Sequence, residues 1–154
     1  MTFLVFLDTG VDNNQQLFDS VVAEAQPFLI DTVTNGLQQI DEILQQCPGS
    51  KTVQIISHGV PGCLCLGNTH LSLDTLKHYI PQLQLCDIDN LMLYGCHIAA
   101  GDAGEEFMGK LSGLIDPHSS PQGYYKRLLK EEGGLQPLLL IRIHNNLCNI
   151  YFYF

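Results

Sequence analysis

Two side chains have the types and spacing for nucleophilic chemistry, Cys96 and His58. His58 lies in V-Q-I-I-S-H-G at Val53–Gly59, and Cys96 closes L-M-L-Y-G-C at Leu91–Cys96. Each is a short apolar run ending in a small-residue turn, the pattern of a buried strand delivering one reactive group at its end. A thiol attacks a carbonyl as the thiolate, and an imidazole nearby can take its proton. Gly59 and Gly95 let backbone approach closely, and the backbone N–H groups of Gly59 and Cys96 can face a developing oxyanion. Cys96 also precedes a helix start by a few residues, which favours the thiolate modestly. The plainer alternative is that a cysteine at a strand end packs as a small hydrophobe.

The elements that must position this pair follow from periodicity. Thr2–Leu7 is an apolar run of β formers stopped by Asp8-Thr9-Gly10, a first strand. Asp12 with Gln15 reads as a capping box opening a helix whose face is Leu17, Phe18, Val21, Val22 and Ala25. Pro27 closes it, and Phe28-Leu29-Ile30 is a second strand. Thr34 caps a helix with Leu37, Ile40, Ile43, Leu44 and Cys47 on one face. Thr52–Ser57 is the third strand. Cys63–Leu66 and His70–Ser72 read as a hairpin around Gly67-Asn68. Ser72 caps a helix carrying Leu73, Leu76, Tyr79, Ile80 and Leu83, which Pro81 kinks or ends early. Leu91–Tyr94 is the fourth strand, and Asp102 with Glu105 opens a last helix with Ala103, Phe107, Leu111 and Leu114 inward.

Strands alternating with amphipathic helices predict an α/β three-layer sandwich with a mostly parallel sheet and a small hairpin inserted after strand 3. Right-handed crossovers make 2-1-3-4 the expected strand order. In such sheets sites form beyond the carboxyl ends of the strands. Asp8, His58 and Cys96 all fall there, on adjacent strands ~4.8 Å apart.

The chain has 154 residues and net charge −9, with 45% hydrophobic and 15% charged residues. This is the composition of a folded domain, and its acidity gives no support to nucleic-acid binding or an anionic-membrane role. The apolar start Met1–Leu7 lacks a basic segment and a cleavage site, so it reads as a strand and not a signal peptide. Cytoplasmic residence is the default, and export is expected if the chain is part of a large surface protein. No stretch reads as a membrane span. Six cysteines in a chain of this length, several within strand-like runs, read as mostly reduced. Cys63-x-Cys65 with His70 can share a hairpin face as soft ligands. The second cysteine pair of a zinc site is missing, so no metal and no cofactor is expected.

Composition changes near residue 115. Residues 1–115 hold three Lys/Arg and thirteen Asp/Glu, whereas residues 116–154 hold four and three. The division is therefore an α/β domain over 1–115 and an atypical tail over 116–154, a loop followed by a hairpin or disorder. The apolar runs Leu138–Ile143 and Asn149–Phe154 can pair around His144-Asn145-Asn146.

Taken together, S-H-G at Ser57–Gly59, G-x-L-x-L-G-N at Gly62–Asn68, L-x-L-x-x-L at Leu71–Leu76 and L-x-Y-G-C-x-x-A-A-G at Leu91–Gly101 resemble a bacterial domain of unknown function. That domain occurs near the N-terminus of very large surface or adhesin-type proteins, notably in cyanobacteria, and looks like a caspase-like (clan CD) cysteine peptidase fold. L-V-F-L-D at Leu4–Asp8 is similar to its first strand, and the resemblance covers about residues 3–114. It implies a Cys/His dyad with Cys96 as nucleophile and His58 as general base and acid, cleaving a peptide or protein substrate or its own chain. It also implies that Asp8, near the end of strand 1, selects Lys or Arg before the cut; the residues alone read Asp8 as the start of a turn. Residues 116–154 lack the further strand and Gly-rich close that the resemblance leads one to expect. A sheet lacking its later strands would expose an edge and invite self-association. A non-catalytic assembly or targeting module on the same fold, or a truncated fragment without activity, are the alternatives.

Overall fold

The strand β1 (Thr2–Asp8) forms because its apolar residues serve both faces of a buried sheet. Leu4, Phe6 and Leu7 are fully buried, and Val5 nearly so. The computed structural model describes residues 2–21, 23–49, 51–85, 88–95, 97–115, 139–142 and 149–153. β1 lies between β2 (Ala25–Ile30) and β3 (Lys51–Ile56), and β3 pairs in turn with β7 (Ile88–Tyr94), all parallel. The four strands therefore run in spatial order β2-β1-β3-β7, which is the expected 2-1-3-4 with β7 as the fourth parallel strand. The register stacks side chains in rows: Leu4 beside Val53 beside Leu91, then Phe6 beside Ile55 beside Leu93. Phe6 also faces Phe28 of β2, with ring centroids 5.5 Å apart and the planes at 24°.

These rows form one core with α2 (Gly36–Gln46), α3 (Leu73–Leu85) and α4 (Gly101–Ile115). Leu37, Ile40 and Leu44 come from α2, Leu76 from α3, and Phe107, Met108 and Leu111 from α4. All three helices lie on one face because each connection into β3, β7 and beyond moves the same way along the sheet, and right-handed crossovers then share a side. The connection from β1 to β2 moves the other way and sends α1 (Asn14–Asp19) to the opposite face.

Several local expectations change. α1 spans six residues, with Asn13 as N-cap in the left-handed region (φ 57) and no capping side chain, in place of a longer helix capped by Asp12. Ala25–Pro27, expected at that helix's end, instead join β2, because pairing from Phe3–Ala25 onward captures them for the sheet. Pro27 is tolerated there because β2 is an edge strand. The cap of α2 is Asn35, whose side chain accepts from the Gln38 N–H. Thr34 instead binds the Asp31 carboxylate one turn upstream. α3 runs through Pro81 to Leu85.

After β3 the chain forms a three-stranded antiparallel sheet, β4 (His58–Val60), β5 (Cys63–Leu66) and β6 (Thr69–Ser72), where a two-stranded hairpin was expected. Its inner side chains, Leu64, Leu66 and Leu71, join the main core. Beyond β7, β9 (Asn149–Tyr153) pairs parallel to it and antiparallel to β8 (Leu139–Arg142). Among the described residues the sheet thus has six strands, and the edge of β7 expected to be open is paired with β9. The segment His144-Asn145-Asn146, expected to join the two tail strands, lies outside the described residues.

Candidate functional site

The carboxyl ends of β1, β3 and β7 lie side by side, which brings Asp8, His58 and the segment around Cys96 to one end of the sheet. Ile56 is opposite Tyr94, and the Ser57 N–H donates to the Tyr94 carbonyl at 3.0 Å, so the ladder continues one step past β3. His58 and the residues after Tyr94 therefore leave adjacent strands at the same level. Cys96 itself, with its backbone N–H, lies outside the described residues. Its neighbours are described. Gly95 packs so closely on Ile98 and Leu64 that a Cβ there would overlap the Ile98 side chain. His97 is exposed and takes a left-handed conformation (φ 58), with its carbonyl accepting from the Ala100 N–H in a turn. The Gly62 N–H donates to the Ile98 carbonyl at 2.8 Å, tying the small sheet to the loop after β7.

His58 is exposed, and its Nε2 lies 2.9 Å from the Gly10 carbonyl oxygen. A carbonyl can only accept, so Nε2 carries the proton, and in the neutral ring Nδ1 holds the lone pair. Gly10, in the loop after β1, is thus the main-chain acceptor for the His58 ring. The sequence marks Gly10 only as a turn residue; its carbonyl partner is 48 positions away.

Asp8 is 5% exposed. Its Oδ1 accepts from the Gly10 N–H at 2.7 Å and its Oδ2 from the Gly67 N–H at 2.6 Å. The carboxylate thus spans from the β1 loop to the β5–β6 turn. Buried and with each oxygen already accepting one main-chain N–H, the carboxylate offers little surface to a basic substrate side chain. Gly59, the other oxyanion candidate, sits within β4 opposite Leu64.

The β4 pairing creates a grouping absent from a linear reading. His58 is directly opposite Cys65, and Cys65 is opposite His70, so the three share the outer face of the small sheet, with Cys63 two residues along on the same side. Cys63 and Cys65 are free, half-buried thiols. Burial, and then the neighbouring Cys65, push the Cys63 thiol up from its ordinary value. Among the described residues no three His, Cys, Asp or Glu groups are gathered so as to hold a metal ion. No described helix is long and apolar enough to cross a membrane.

On the opposite sheet face a groove of about 550 Å³ is lined by Phe3, Val5, Leu17, Val21, Ile56 and Tyr94, among others. It lies under α1 and not at the strand ends where His58 sits.

The family model described as Domain of unknown function (DUF4347) matches residues 4–118, three quarters of the chain. The chain belongs to that family. A search of curated proteins finds no match.

Proposed function

We propose that the chain is a caspase-like cysteine endopeptidase domain in which Cys96 is the nucleophile and His58 the general base and acid. The observation that carries this reading is the bond from His58 Nε2–H to the Gly10 carbonyl, at the sheet end where the chain also leaves β7 toward Cys96. A base must hold a free lone pair in a defined direction, and committing Nε2–H to a main-chain acceptor reserves Nδ1 for that role. In this reading Nδ1 takes the Cys96 thiol proton as sulfur attacks the scissile carbonyl carbon. Backbone N–H groups at Gly59 and Cys96 receive the oxyanion. His58 returns the proton to the departing amine, leaving a thioester. Water activated by His58 then releases the acid and restores the thiol. The substrate is a peptide, or a segment of the protein's own chain. The bacterial surface-protein setting implied by the sequence resemblance belongs to the same proposal.

A second reading keeps the fold but not the chemistry: an assembly or targeting module. It is favoured by Asp8, which is buried and gives both oxygens to main-chain N–H groups that serve the fold without a substrate.

The deciding experiment treats the wild type, Cys96→Ala and His58→Ala with an electrophilic peptide probe and follows self-cleavage by mass. Wild-type labelling at Cys96, abolished in Cys96→Ala and strongly slowed in His58→Ala, is expected. Equal labelling of wild type and Cys96→Ala, with identical cleavage patterns, removes the peptidase reading.

A further inference from the structure

We infer that Asp8 is a positioning residue for His58, acting through Gly10, and not a group that reads the substrate. The catalytic meaning of this rests on the dyad proposed above; the structural relay does not. The relay runs from the Gly67 N–H to Asp8 Oδ2 (2.6 Å), from the Gly10 N–H to Asp8 Oδ1 (2.7 Å), and from His58 Nε2 to the Gly10 carbonyl (2.9 Å).

Each link has a reason to be stiff. Asp8 is almost wholly buried at the end of a central strand. The loop it grips is pinned on both sides, because the Thr9 N–H donates to the Ile30 carbonyl and the Val11 N–H to the Asp8 carbonyl. Asn14 Nδ2 donates to the carbonyls of Thr9 and Val11. A Cβ on residue 10 would lie 2.9 Å from Asp8 Oδ1, so the grip needs glycine. The far anchor, Gly67, has φ +59 and is wedged against the backbone of Thr34 and Gly36. The Gly10 carbonyl is therefore presented to His58 as a fixed acceptor, and a fixed acceptor selects one tautomer. An aspartate suits this place because both oxygens accept; an asparagine would turn one donor against an N–H.

The test is ¹⁵N NMR of the His58 ring across a pH series in the full-length chain. It compares the wild type, Asp8→Asn and Gly10→Ala, with folding checked from the amide spectrum. The wild type is expected to show Nε2–H alone in the neutral ring, and both variants a mixture with Nδ1–H. If the peptidase operates, Asp8→Asn lowers kcat by roughly tenfold or more, part of the ~10²–10⁴-fold that positioned proton transfer contributes. KM and the preference at the residue before the cut stay unchanged. A folded Asp8→Asn with the wild-type tautomer overturns the inference, as does a raised KM with lost Lys/Arg preference at unchanged kcat. Should Asp8→Asn not fold, Gly10→Ala decides by the same ring signals. A tautomer shift in a protein whose Cys96 shows no reactivity supports the relay and rejects the peptidase, so the two claims fail separately.

Discussion

Asp31 shows how much of this fold is organised by single carboxylates accepting main-chain N–H groups. Its Oδ1 accepts from the N–H groups of Val33 and Thr34, each at 2.9 Å, and Thr34 Oγ1 donates to both of its oxygens. The Thr34 N–H above all, with Val33 and the Thr34 hydroxyl adding to it against a smaller cost of burial, holds the carboxyl below its usual value of 3.8. The sign follows from linkage. A lowered folded-state pKa contributes stability in full above 3.8 and loses it as pH falls through the folded value. The Asp31 carboxyl signal is thus expected to titrate with a midpoint below 3.8, and the stability difference between wild type and Asp31→Asn should shrink as pH falls past it. A midpoint at or above the usual value would show that the turn does not retain these bonds in solution. Asp8 makes the same type of contact between distant segments. Periodicity places Asp8 at a strand end and in a turn, and both hold. That its second oxygen reaches Gly67, 59 positions away, is not encoded in any local pattern.

Among the elements, α2 shows the division between local and distant causes most clearly. Its apolar spacing is legible, and Leu37, Ile40 and Leu44 are buried as that spacing demands. Its cap is not, because Thr34 and Asn35 both suit an N-cap and neighbours decide between them. Asp31 takes Thr34, while Asn35 accepts from Gln38 and donates Nδ2 to Tyr79 Oη at 3.2 Å, joining α2 to α3. Asn35→Ala is expected to lower stability by about 1–2 kcal/mol, as loss of a cap and a neutral side-chain bond would. Asn35→Asp keeps the cap acceptor and should recover about half of that in urea unfolding. Equal loss in the two would mean that the Tyr79 contact and not the cap dominates. β4 is the element periodicity misses. Three residues, His58–Val60, are too few to show alternation, and they read as the turn after β3. Pairing with β5 is a nonlocal event, and it places Cys65 and His70 in register with His58.

At the scale of the molecule the two sheet faces differ. One carries α2, α3, α4 and the continuous core; on the other, α1 is the only helix among the described residues and has no buried residue. Phe6 and Phe3 test this asymmetry from the same strand. Phe6 is fully buried and stacked on Phe28, so Phe6→Ala should cost roughly 3–5 kcal/mol. Phe3 is 41% exposed, and Phe3→Ala should cost less than about 1 kcal/mol in the same denaturation assay. Comparable losses would mean that the α1 face is as tightly covered in solution as the other.

Sequence alone determined the strand–helix alternation, the order of the four parallel strands and the arrival of Asp8, His58 and the Cys96 segment at one sheet end. Strand period, helix period and crossover handedness are local or chiral constraints, and they act on any chain with this pattern. Tertiary structure alone decided that Ala25–Pro27 belong to β2, that Asn35 and not Thr34 caps α2, and that the Gly10 carbonyl holds His58 while Asp8 holds Gly10. Pairing of β2 with β1 settles the first, the side chains of Asp31 and Tyr79 settle the second, and the third depends on the packed strands bringing the His58 ring and the Gly67 N–H within about 3 Å of the β1 loop.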